Sequence, residues 1–126
     1  MMTPAIGRIV IYTHRIDQMT DFYARFFGFS VIRSETDRIV ELSPQTSGLT
    51  ILLHPAASKQ KEGQALVKLV FDVQDVEAFC ATARSKGLNF GRVHRADEYS
   101  FANAKDPAKN SIQVSSRAFV RGSRPT

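Results

Sequence analysis

Three histidines, one cysteine and twelve carboxylates are the side chains of this chain that could carry acid–base, nucleophilic or metal chemistry. His14, His54 and His94 stand far apart, without the short local spacing of metal ligands. A fold could still gather them, but no carboxylate stands beside any of them to orient a metal-bound imidazole. A lone cysteine forms no intramolecular disulfide, and without a Cys cluster there is no zinc signature. Cys80 lies in an apolar run and reads as a small buried hydrophobe. Gly-rich phosphate loops, a nucleophile elbow and a local Ser-His-Asp arrangement are absent.

Charge narrows the partners. The net charge is +5, with Arg117, Arg121 and Arg124 close together beside Gly122, Ser123 and Pro125. That stretch reads as a basic, frayed tail, and the other Lys and Arg residues are scattered. Without a basic face or a recognition motif, no nucleic-acid partner is expected. No apolar run approaches the ~20 residues of a membrane span, and Met1–Ala5 lacks a basic, then apolar, leader. A cytoplasmic protein is expected.

The elements that must position any site follow from periodicity. Arg8 to Tyr12 is β-branched and aromatic and predicts a strand. From Ile16 the period changes: Ile16, Met19, Phe22, Tyr23, Phe26 and Phe27 mark one helical face, with Asp17, Asp21 and Arg25 on the solvated side. Gly28 stands where a left-handed cap is wanted. Residues 29–34, 38–42 and 49–53 predict three strands. After a polar linker the pattern restarts: a strand over 66–73, a helix capped by Asp75 and ended by Gly87, then strands over 89–93, 99–104 and 111–115. The expectation is an α+β fold, one domain of two βαβββ modules at about 6–55 and 64–116, joined by a linker at about 56–63 and followed by the tail 117–126.

Three stretches carry a family likeness. Asp21-Phe22-Tyr23-Ala24-Arg25-Phe26-Phe27-Gly28-Phe29 resembles an F-Y-x-x-x-L-G-F helix end, and Phe71-Asp72-Val73-Gln74-Asp75-Val76 resembles F-x-V-x-D-V. Asp106-Pro107-Ala108-Lys109-Asn110-Ser111-Ile112-Gln113-Val114 resembles the turn and strand D-P-x-G-N-x-I-E-L. In this order, on a repeated module, they resemble the vicinal-oxygen-chelate superfamily of glyoxalases, bleomycin-resistance proteins and extradiol dioxygenases.

The resemblance implies curved mixed sheets with helices outside, a concave cup, and commonly a homodimer. It also implies, in metal-dependent members, ligands at four positions that fall here on Arg8, Leu52, Lys68 and Gln113. Guanidinium and ammonium have no lone pair to donate and leucine has no donor atom, so no metal cofactor is expected. With Leu52 facing the cup, strand alternation places Thr50 and His54 beside it, Val10 and Tyr12 beside Arg8, Val70 and Asp72 beside Lys68, and Ser111 and Ser115 beside Gln113. His54 is then either a base, a ligand contact or a rim histidine. The other face, with Ile9, Ile11, Val67, Leu69, Phe71, Ile112 and Val114, is expected under the helices.

The site set is therefore Arg8, Tyr12, Leu52, His54, Lys68, Asp72 and Gln113, with no catalytic residue assigned. The expected function is metal-independent binding of a small molecule. Arg8 and Lys68 would favour an anionic ligand, or Asp72 and Glu41 would compensate them, or both would extend to water at the rim. The competing readings are a metal-dependent lyase, isomerase or dioxygenase, and a pure interaction module whose cup is filled by its own side chains.

Overall fold

The apolar residues spaced at three and four close into helix α1 (Ile16–Phe27) in the computed structural model, which describes residues 2–120. Met19, Phe22 and Tyr23 are buried along it, while Asp17, Asp21 and Arg25 face outward. Gly28 adopts φ 75° and ends the helix, its N–H donating to the Ala24 carbonyl and that of Phe29 to the Tyr23 carbonyl. At the other end Arg15 occupies the cap position, and its side chain makes no capping bond to the helix. The work passes to neighbours: Thr13 Oγ1 accepts from the Arg15 N–H at 2.9 Å, and the Glu62 carboxylate accepts from the His14 N–H and from Arg15 Nε.

The chain divides into two units between Glu62 and Gly63, and each carries the same topology. In the first, β1 (Arg8–Thr13) pairs in parallel with β4 (Thr50–Pro55). β3 (Val40–Ser43) and β2 (Ser30–Ile32) continue antiparallel, giving the order β1-β4-β3-β2. In the second, β5 (Lys68–Asp72) pairs in parallel with β8 (Ser111–Ser115), followed by β7 (Ser100–Lys105) and β6 (His94–Arg95) in the order β5-β8-β7-β6. The fold is α+β, two βαβββ modules with one four-stranded sheet each. α1 packs on β3 and β4, and α2 (Val76–Ser85) packs on β7.

Alternation sets the two faces of each sheet. Val40, Leu42, Ile51 and Leu53 are buried in the first unit, and Ala102, Ile112 and Val114 in the second. Two turns of α2 add Val76, Cys80 and Ala83, and burial pushes the Cys80 thiol up in pKa, partly offset by the nearby Arg84 charge. Asp75 caps α2 as expected, its Oδ1 accepting from the Ala78 N–H at 3.0 Å.

Three expectations need correction. Residues 89–93 form no strand: Leu88 and Phe90 turn inward, Phe90 meeting the Phe79 ring edge-on at 6.2 Å, so the ladder begins only at His94. Val67 is 63 % exposed rather than under a helix, because β5 starts only at Lys68, two residues later than expected. Arg117 belongs to a 3-10 turn (Arg117–Phe119), whereas Arg121 and Arg124 of the basic tail lie outside the described residues.

The turn into β8 is built by one carboxylate. Asp106 is 4 % exposed; its Oδ1 accepts from the N–H groups of Ala108 and Asn110, and its Oδ2 from Asn110 Nδ2. Lys109 follows at φ 68°, left-handed backbone where the resembling motif has glycine. An L-residue there costs about 1–2 kcal/mol, and glycine gives back about 0.5–1 in chain entropy, so Lys109→Gly is expected to stabilise by up to ~1 kcal/mol. Urea unfolding of the two proteins checks this, and a loss of stability would contradict it.

Candidate binding face and pocket

The open face of the first sheet is set by the register of its two longest strands. Arg8 lies opposite Thr50, Val10 opposite Leu52, and Tyr12 opposite His54, so Arg8, Tyr12, Leu52 and His54 share one face. The Tyr12 and His54 rings sit 5.0 Å apart, and His54 Nδ1 donates to the Pro55 carbonyl at 2.8 Å. In the neutral ring that bond leaves the lone pair on Nε2. Glu41 lies opposite Leu52, yet among the described residues it forms no ion pair with Arg8.

The second sheet presents three cross-strand rows. Lys68, Ser111 and Lys105 make the first, Val70, Gln113 and Asn103 the second, and Asp72, Ser115 and Phe101 the third. Asn103, which the sequence did not single out, organises the middle. Its Oδ1 accepts from Lys68 Nζ at 3.0 Å and from Gln113 Nε2 at 2.9 Å, so the Gln113 amide reaches Asn103 through its nitrogen. Asp72 makes no ion pair with Lys68 among the described residues. Among the described residues neither internal counterion considered for the cations forms an ion pair with them.

Over the second and third rows opens a cavity of about 410 Å³, within the range of small-molecule sites. Val70, Tyr99 and Phe101 give it apolar walls, and Asp72, Gln113, Ser115 and Arg117 converge as polar groups. The rings form a strip: His94 stacks on Phe101 at 5.0 Å with 19° between planes, and Tyr99 lies 6.1 Å from Phe101. Arg117 closes one side. Its guanidinium lies 5.2 Å from the Tyr99 ring centre, its Nη1 donates to the Tyr99 hydroxyl, and its backbone N–H donates to the buried Ser115 Oγ.

Of the sequence-derived set, the cavity thus unites Asp72 and Gln113, with Lys68 one row outside it. Arg8, Tyr12, Leu52 and His54 group on the first sheet instead. Tyr99, Phe101, Asn103 and Arg117 were missed. The alternation of Tyr99 and Phe101 along a predicted strand was the available signal for two of them.

A metal does not fit the four positions the family resemblance points to. Arg8 and Lys68 offer cations, Leu52 offers no donor, and the Lys68 ammonium already donates to Asn103. Among the described residues no three His, Cys, Asp or Glu side chains come together as a ligand set.

A duplicated βαβββ unit with an open, ligand-sized sheet face defines a class, and the sequence profile of that class matches residues 5–114. The chain belongs to the glyoxalase/bleomycin resistance protein/dioxygenase superfamily. It is similar in fold to TnmS3, an antibiotic binding protein from Streptomyces sp. CB03234, at 19 % identity and TM-score 0.74 over 90 % of this chain and 96 % of that one. Similar likenesses hold for UcmS2, at 17 % identity and TM-score 0.75 over 91 % and 99 %, and for a lactoylglutathione lyase from Agrobacterium tumefaciens, at 18 % and 0.69 over 90 % and 93 %. No curated protein matches the sequence.

Proposed function

We propose that the protein is a metal-independent small-molecule-binding protein that takes a flat, largely apolar ligand in the cavity of its second module. The observation that carries this reading is the aromatic strip of Tyr99, Phe101 and His94 beside the convergent Asp72, Gln113 and Arg117. A planar ring system matches stacked aromatic walls, and a few polar groups suffice to fix its orientation. The antibiotic-binding activity of TnmS3, on the same fold, supports a role in sequestering such a molecule. Nothing in the donor set at Arg8, Leu52, Lys68 and Gln113 favours the lyase or dioxygenase alternative.

Titration of fluorescent anthracene and acridine derivatives tests the reading. Phe101→Ala is expected to weaken binding by about 1.5–3 kcal/mol, tenfold or more, because it removes one aromatic wall. Treatment with a chelator is expected to leave the affinity unchanged. Absence of binding by every probe at millimolar concentration, or binding that needs a divalent ion, would overturn the proposal.

A further inference from the structure

We infer that the row formed by Lys68, Ser111 and Lys105 is an oxyanion subsite that receives the carboxylate or phosphate of a ligand whose aromatic body occupies the neighbouring cavity. This rests on the pocket reading above and adds the charge and direction of the ligand. The two lysines flank Ser111 on adjacent strands in register, so all three side chains leave the sheet on one side. Lys105 Nζ donates to Ser111 Oγ at 2.8 Å, and Lys68 Nζ donates to Asn103 Oδ1 at 3.0 Å. Each ammonium carries three N–H donors, and each is held by one neutral acceptor. Among the described residues neither lysine has an ion pair. Two like charges therefore stand on the strands either side of Ser111 with spare donors and, among the described residues, no ion-pair partner, an arrangement that an oxyanion completes.

Its position relative to the cavity follows from strand geometry. Residues two apart along a strand are separated by roughly 7 Å, so the lysine row lies about that far from the Gln113 row and roughly 13 Å from the Asp72 row. With its acid group at the lysine row, a tricyclic arene lies over the Gln113 row and extends toward the Asp72 row. Among the described residues the lysine row carries two cations without an ion pair, whereas the far end carries the Asp72 carboxylate together with the Arg117 guanidinium. An acidic group is thus drawn more strongly to the lysine row than to the far end, where the Asp72 charge opposes that of Arg117, and this gives the ligand one orientation. The Gln113 amide lies between the two ends, level with the middle of the ligand.

The test compares anthracene-2-carboxylate, 2-anthryl phosphate and the neutral methyl anthracene-2-carboxylate by fluorescence anisotropy. Both acids are expected to bind at least about tenfold more tightly than the ester, an advantage that shrinks as salt rises. Stronger binding of the phosphate or of the carboxylate identifies the preferred headgroup. Lys68→Met and Lys105→Met, which keep the aliphatic stem, are each expected to cost the acids several-fold and to leave the ester unchanged. Phe101→Ala weakens all three probes. The inference is overturned if the ester matches the acids, or if the lysine variants weaken acid and ester alike. If no arene binds, the aromatic reading fails by itself. Inorganic phosphate then decides the subsite: a rise in melting temperature with phosphate that both lysine variants lose supports it, and no rise overturns it.

Discussion

Asp106→Ala is expected to lower the folding stability by about 3 kcal/mol, the largest single effect among the polar residues considered. The carboxylate accepts three hydrogen bonds within a five-residue turn, two from backbone N–H groups and one from the Asn110 amide. Hydrogen bonds to a charged acceptor contribute about 1.5–3 kcal/mol each, and they share one anion, so their sum is not additive. The decisive component is the Ala108 N–H. Ala108 is 1 % exposed, so water replaces the lost acceptor poorly and a buried donor stays unsatisfied. Asp106→Asn keeps an oxygen for the backbone donors but points an NH2 group toward Asn110, and an intermediate loss is expected. Urea unfolding of the three proteins checks the order. An alanine variant within ~1 kcal/mol of the parent would mean that the turn is held by its backbone bonds and Pro107 alone.

Glu62→Gln is expected to cost about 2 kcal/mol near neutral pH, and the cost should vanish in acid. Burial opposes ionisation of the Glu62 carboxyl. The hydrogen bonds from Thr13, the His14 N–H and Arg15, helped by the His14 charge, outweigh it and hold the carboxyl below its usual pKa. A carboxyl whose pKa is depressed on folding stabilises the native state fully above its unfolded value. That contribution is lost as the pH falls through the lower folded value. Unfolding free energies of parent and variant should therefore converge as the pH drops through and below the ordinary carboxylate range. A gap that stays constant with pH would show that shape, not charge, is what Glu62 supplies to the start of α1.

The elements whose signals are local were legible in the residues alone. The face of α1, the left-handed Gly28, the Asp75 cap and β8 at 111–115 all appear where periodicity and capping chemistry put them. What escaped was set by partners distant in the chain. Glu62 was read as part of a loose polar linker, but it bonds 48 residues back to the turn that starts α1. Asn103 looked like an ordinary strand residue until Lys68, 35 positions away, donated to it. Arg117 was grouped with the basic tail because composition there is Gly- and Ser-rich, whereas a 3-10 turn folds it onto Tyr99. The candidate site divides in the same way. Alternation put Asp72 and Gln113 on one face, as the register also has them, and it gave no means of telling which part of that face would be hollow.

The chain's one cysteine gives the second module a built-in chemical clock. Cys80 is 6 % exposed on the inner side of α2, and the thiolate that would attack a reagent is disfavoured by its surroundings. Modification must wait for α2 to lift from the sheet. The pace of labelling at a fixed pH then records how often that unit opens, without any engineered probe. Because Phe101, Gln113 and Ser115 belong to the sheet beneath, a molecule that settles over them and steadies that sheet would slow the clock.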